Sequence, residues 1–238
     1  MQRDSRPATT PQADLPVATE GPLAVSERLS SVSYAVRDVV LVAHKAAAAG
    51  RKMLYLNIGD PNAYDFDTPD HVLDAIVERG LRGGHNGYSP TSGVPEAVDA
   101  IHRYATETRG TPNVLDVFTG NGASEPIEIA LTALLNPGEG VLTPSPGYPL
   151  YTAALAKLGA RAVPYFLDES AGWQPDVDDM RRRIDETTRA IVLINPNNPT
   201  GSVASTETLR QVAELCIERN LVLFADEIYD RLLFDDAR

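Results

Sequence analysis

Cysteine is almost missing from this chain. Cys216 is the only one in 238 residues, so no disulfide framework can form within it. It falls on the apolar side of a predicted helix, which fits a small core residue better than a nucleophile. Histidine is nearly as scarce: His44, His71, His85 and His102 stand singly, without the spacing of a metal-ligand cluster. Basic residues are outnumbered, 21 Lys and Arg against 33 Asp and Glu, for a net charge of −12. That balance argues against a nucleic-acid or anionic-membrane partner, since either needs a basic footprint. No apolar run approaches a membrane span. The first stretch, MQRDSRPATTPQADLPVATEGPL, has no apolar segment of secretion-signal type. Its Pro, Ala, Thr and acidic content predicts a disordered tail over residues 1–28. These absences together predict a cytoplasmic protein.

What is present suits a packed globular fold. Hydrophobic residues make up 43% of the chain, enough for a sizeable core. A helix is predicted from Ser31 to Ala49, ending at Gly50. KMLYLNIGDP then reads as a short strand entering a turn. Thr68 and Pro69 resemble an N-cap followed by proline at the first helical position, with Val72, Leu73, Ile76 and Val77 at helical spacing. A further helix carries Val94, Val98, Ile101 and Ala105 on one face. From Val114 onward strands and helices alternate: VFTG, then GASEPIEIALTALL, VLTPS, LYTAALAKLG, ARAVPYFLD, PDVDDMRRRIDETT, RAIVLINP, TETLRQVAELCIERN and LVLFAD. This rhythm predicts an α/β fold with a mostly parallel sheet flanked by helices. The expected division is an N-terminal helix and small-domain segment over 29–66 and a large domain over 67–238.

In such sheets ligands bind beyond the C-terminal ends of the strands, and the unusual residues of this chain fall there. GNGASE couples a glycine turn to a helix N-terminus whose free N–H groups and Ser124 hydroxyl form an anion cradle. PSPGYPLY holds Tyr148 among prolines, a stiff aromatic able to stack on a flat ring. Taken singly, a plain glycine turn and ordinary loop packing also account for these two. NPNNPTG fixes two Asn side chains between Pro196 and Pro199, with Asn198 biased toward an extended backbone. ADEIYD ends an apolar strand in Asp226, a carboxylate that needs a partner if buried. That partner is either an arginine or a protonated ring nitrogen, with Tyr229 nearby to reach another polar atom of the same ring. A phosphate cradle, a stacking aromatic, an amide, a carboxylate and a phenol together describe a phosphorylated aromatic ring containing nitrogen, which is pyridoxal 5′-phosphate.

The motifs NIGDP, GYSPTSG, GNGASE, PGYPLY, NPNNPTG and ADEIYD, in this order, resemble the fold-type I aminotransferases of classes I and II. LNIGDP, DESAGW and LLFDD are most similar to bacterial alanine (glutamate–pyruvate) aminotransferases. The resemblance implies that Asp226 pairs with the ring nitrogen of pyridoxal 5′-phosphate and that Tyr229 and Asn198 bond its phenolic oxygen. It implies that Tyr148 stacks on the ring and that Ala123 and Ser124 hold the phosphate. Tyr88 resembles a tyrosine that reaches the phosphate of a neighbouring subunit, implying a homodimer. Gly59 resembles a glycine beside the substrate carboxylate. The implied substrates are an amino acid and a 2-oxo acid.

The family also needs a lysine that bonds the cofactor, downstream of the DEIY aspartate, together with an arginine that clamps the substrate carboxylate. The only lysines here are Lys45, Lys52 and Lys157, none in that place. The resemblance therefore implies an N-terminal portion that is inactive alone, with no catalytic residue before Arg238. The competing readings are another pyridoxal-phosphate reaction on the same fold, such as elimination or decarboxylation, and a non-catalytic regulatory or dimerising fragment. A Rossmann-type nucleotide module is disfavoured because GNGASE lacks G-x-G-x-x-G and no acid is placed to take a ribose.

Overall fold

The computed structural model describes residues 26–32, 35–56, 59 and 61–234. Helix α1 covers Ala35–Ala48, α2 Asp70–Ala75 and α3 Pro95–Arg103. Helix α2 continues as a π-helical turn over Ile76–Leu81, and α3 as another over Tyr104–Thr108. Then follow α4 (Ser124–Leu134), β1 (Gly140–Ser145), α5 (Pro149–Leu158), β2 (Arg161–Asp168) and β3 (Gln174–Pro175). The described chain closes with α6 (Val177–Arg183), β4 (Thr188–Ile194), α7 (Thr206–Arg219) and β5 (Val222–Asp226).

The local signals explain most of these boundaries. Pro149 opens α5, where its missing N–H costs nothing, and Gly159 closes it with φ of 71°. Asp176 caps α6 by accepting from the Asp179 N–H at 2.8 Å, and Ser205 caps α7 by accepting from the Thr208 N–H at 3.0 Å.

The five strands lie in the order β3-β2-β1-β4-β5. The pairs β1–β2, β1–β4 and β4–β5 are parallel, and only the short β3 runs antiparallel, against β2. Successive side chains of a strand point to opposite faces, and both faces here are covered. Val141, Ala190, Val192 and Ile194 pack with Leu131 of α4 and with Tyr151, Ala154 and Leu155 of α5. On the other face Leu142, Tyr165 and Ile191 pack with Met180 of α6 and with Val212, Leu215 and Cys216 of α7. Cys216 is thus the small core residue its position suggested. Burial on both faces is why the central strands β1 and β4 read as near-continuous apolar runs.

Chain direction across the sheet sets the site. From β1 the chain moves outward to β2 through α5, on one face. It then returns past β1 to β4 and on to β5 through α6 and α7, on the other face. The loops leaving β1 and β4 therefore diverge at the strands' C-terminal ends and open a crevice between them.

Some expected elements differ. The short strand expected at the start of KMLYLNIGDP is absent over residues 52–56, and 57, 58 and 60 lie outside the described residues. The first helix starts at Ala35 rather than Ser31, with 33 and 34 outside the described residues. Helix α2 starts at Asp70, with Pro69 rather than Thr68 in the capping position and no side-chain cap. VFTG, expected as a strand, is not one: among the described residues no ladder partner lies beside it, and Phe118 is 65% exposed. Among the described residues no helix is long and apolar enough to cross a membrane.

Candidate functional site

The loop after β1 delivers Tyr148 directly to the N-cap position of α5. Tyr151 follows in the first turn of that helix. Tyr151 is 2% exposed, and its hydroxyl donates to Asp226 Oδ2 at 2.8 Å. Asp226 is the last residue of β5, level with Ile194 at the end of β4. Its other oxygen, Oδ1, accepts from the Ile228 N–H at 3.2 Å. Among the described residues no arginine or lysine pairs with Asp226. Burial, then the negative charge of Asp226 and the hydrogen bond to it, hold the Tyr151 phenol far above its ordinary pKa. The phenol therefore stays neutral and remains a donor.

The loop after β4 is fastened internally. Asn195 Oδ1 accepts from the Ala204 N–H at 2.9 Å, and the Asn197 carbonyl accepts from the Gly201 N–H at 2.8 Å. Asn197 is 6% exposed and donates to Thr200 Oγ1 at 2.9 Å. These bonds anchor the loop so that Asn198 faces outward, where its Nδ2 lies 3.4 Å from the Tyr229 hydroxyl.

The third wall is the start of α4. Asn121 N–H donates to Glu125 Oε2 at 2.6 Å, and Gly122 takes φ of 70°. A Cβ on Gly120 would stand 2.5 Å from Pro126 Cδ, so only glycine fits there. Ala123 occupies the N-cap position with helical backbone and no side-chain cap, and Ser124 is the first helical residue. A helix start without a side-chain cap offers backbone N–H groups to an anion.

These walls enclose a cleft of about 150 Å³, lined by Ala123, Ser124, Tyr148, Asn198, Asp226 and Tyr229 over an apolar floor that includes Ile127 and Ile194. Donors for an anion lie on one wall and a carboxylate with spare acceptor capacity on another, with an aromatic, an amide and a phenol between. That donor set fits a flat ring bearing an anionic group on one side and a basic nitrogen on the other, as in pyridoxal 5′-phosphate. Tyr88 and Gly59 are not brought to this cleft: Tyr88 stands fully exposed, and Gly59 is exposed with open space about it. None of the three lysines lines the cleft, and Lys157 pairs with Glu128 at 2.7 Å.

Sequence reasoning missed Tyr151. Its signal was the second tyrosine of PGYPLY, three residues after Tyr148 and beside the same strand end.

Comparison with known proteins follows the same lines. Residues 51–238 match the family model described as aminotransferase class I and II. The chain is 45% identical over 219 residues to the glutamate–pyruvate aminotransferase AlaA of Escherichia coli K12, covering 91% of this chain and 53% of that protein. It is 43% identical over 218 residues to the alanine aminotransferase of Mycobacterium tuberculosis H37Rv, covering 90% and 50%. Among solved structures, an alanine aminotransferase from Pyrococcus furiosus superposes with a TM-score of 0.83 at 36% identity, over 90% of this chain and 55% of that one. The chain thus spans about half the length of the relatives it matches.

Proposed function

The chain belongs to the class I and II aminotransferases, and on that footing we propose that it carries the cofactor half of an enzyme moving an amino group between an amino acid and a 2-oxo acid. The single observation that supports this most is the sharing of one cleft by Asp226, Asn198, Tyr229, Tyr148, Ala123 and Ser124, with no arginine or lysine among the described residues paired to Asp226. The cofactor is pyridoxal 5′-phosphate, which supplies an electron sink for the carbanion formed at the substrate's α-carbon. The roles of the chain's own residues follow from their chemistry. Ala123 and Ser124 receive the phosphate at the α4 N-terminus. Tyr148 covers one face of the ring and excludes water from it. Asn198 and Tyr229 direct hydrogen bonds to the phenolic oxygen. Asp226 holds a proton on the ring nitrogen.

Alanine and glutamate are the proposed amino donors, on the strength of likeness to proteins named for those substrates. Gly59 lies beside the substrate carboxylate in this reading, and Tyr88, exposed here, reaches the phosphate of a second copy in a homodimer. Residues 29–66 belong with a small domain and residues from 67 onward with the large one. The compartment is the cytoplasm.

The reading is tested by titrating the chain with pyridoxamine 5′-phosphate, which needs no bond to a lysine, and with inorganic phosphate as competitor. Saturable binding displaced by phosphate is expected; no saturable binding overturns the reading. Reaction class is tested on a hybrid joining this chain to the remaining half of the E. coli relative, given alanine and 2-oxoglutarate. Pyruvate and glutamate are expected, whereas free ammonia or carbon dioxide would assign elimination or decarboxylation instead.

A further inference from the structure

The turn after β5 separates two hollows. Asp226, Ile228 and Tyr229 line the 150 Å³ cleft. Glu227, Asp230 and Arg231 line a neighbouring hollow of about 530 Å³, together with Tyr104 and Arg109. The back of the turn is fastened across that second hollow. Arg109 Nη2 donates to Glu227 Oε2 at 2.6 Å, and its Nη1 donates to Asp230 Oδ2 at 3.0 Å. The Arg231 guanidinium carbon lies 5.0 Å from the Tyr104 ring centroid, and its Nε donates to the Tyr104 hydroxyl at 3.3 Å. Arg109 itself ends the π-helical turn after α3, its N–H bonded to the Tyr104 carbonyl at 3.0 Å. From Arg109 the chain runs on to Gly120 and the α4 anion cradle.

We propose that Arg109 is a positioning residue for the ring end of the cofactor site, its forked guanidinium clamping the turn that presents Asp226 and Tyr229. The inference rests on the function proposed above. β5 lies at the edge of the sheet, and among the described residues those that follow it join no strand. Within the turn the backbone bonds are local, Asp230 N–H to the Glu227 carbonyl and Leu232 N–H to the Tyr229 carbonyl. A single exposed ion pair would add little. A guanidinium that engages two carboxylates at once, beside a cation stacked on an aromatic ring, fixes position in a way one pair does not. Because Glu227 and Asp230 flank Ile228 and Tyr229, holding the back of the turn sets where its front stands in the cleft.

The test compares the wild-type chain with R109Q, R109K and R109Q/D230N. It reads pyridoxamine 5′-phosphate affinity, inorganic phosphate affinity and amide hydrogen exchange over 226–231. R109Q is expected to weaken pyridoxamine 5′-phosphate about tenfold, change phosphate less than about twofold and speed exchange in the turn, with R109K recovering part of each loss. R109Q/D230N is expected to be no worse than R109Q, since the two residues act as one unit. Unchanged pyridoxamine 5′-phosphate affinity in R109Q overturns the proposal. So does an equal loss of both ligands, which would make Arg109 a general stabiliser. If the wild-type chain binds no pyridoxamine 5′-phosphate, the functional reading falls instead, and unchanged exchange in R109Q would still overturn the clamp.

Discussion

The Tyr151 hydroxyl and Asp226 Oδ2 lie 2.8 Å apart, joining the first turn of α5 to the end of β5. This bond engages Oδ2, while Oδ1 accepts from the Ile228 N–H at 3.2 Å. It gives Asp226 a neutral donor, and no arginine or lysine among the described residues compensates the charge. Removing it in Y151F leaves the carboxylate short of a donor. The variant is expected to lose about 1–2 kcal/mol of stability in urea unfolding at pH 7. It is also expected to bind pyridoxamine 5′-phosphate several-fold more weakly. A variant as stable as wild type would mean that the bond contributes nothing net.

Alkaline pH should destabilise the fold in two stages. Burial pushes the Cys216 thiol from 9.0 up to about 11. It also raises the Tyr151 and Tyr165 phenols well above 10.0, with Asp226 adding to the effect at Tyr151. In each case the unfolded chain gives up its proton first, so the folded state binds more protons and stability falls as pH rises. The loss begins near pH 9 with Cys216 and steepens above 10, by about 1.4 kcal/mol per pH unit per group. C216A should remove the first stage in urea melts across pH 8–11, and an identical profile in C216A would refute the assignment.

Asp179 is the acid-side counterpart. Burial works to raise its pKa, but Arg183 Nε at 2.5 Å, the Phe166 N–H at 3.0 Å and Arg182 at 3.3 Å prevail, so the carboxyl sits below its ordinary value. With the folded pKa depressed, its contribution is present at neutral pH and lost as pH falls through that value. D179N is expected to cost about 2 kcal/mol at pH 7. The gap to wild type should close as pH drops below 3.8, and a gap that stays constant down to pH 2 would contradict the argument.

No lysine lines the cleft. Borohydride reduction of the chain with pyridoxal 5′-phosphate should therefore attach no cofactor inside it, and alanine with 2-oxoglutarate should yield no pyruvate. Peptide mass mapping checks the first and a coupled pyruvate assay the second. A labelled peptide from within the cleft would require a different geometry.

How much of this was legible in the sequence depended on where each signal originates. Strands β1 and β4 were legible because burial on both faces leaves apolar runs such as AIVLI, and β2 and β5 because AVPYFL and VLFA are bounded by turn residues. The strand ends were legible as a site because GNGAS, PGYP, NPNNPTG and DEIY carry chemistry that a structural loop does not need. VFTG misled, since β-forming residues make a strand only beside a ladder partner, and propensity cannot report that one is missing. The short β3 escaped notice because Gln174 and Pro175 pair with β2 through tertiary placement rather than local pattern. That Asp226 needs a partner was legible, because a buried carboxylate requires one, but its donor within the protein was not. The neutral Tyr151 became visible only once α5 was laid over β5, and the Arg109 bonds, 118 and 121 residues apart along the chain, left no local trace at all.

The central claim is that Asp226 holds a proton on a ring nitrogen in this cleft. Its most direct test is the ¹⁵N shift of ring-labelled pyridoxamine 5′-phosphate bound to the wild-type chain and to D226N, followed across pH. In the wild type the ring nitrogen should stay protonated at least about one pH unit above its free value, and in D226N it should titrate as it does free. Identical titrations in the two proteins would contradict the account.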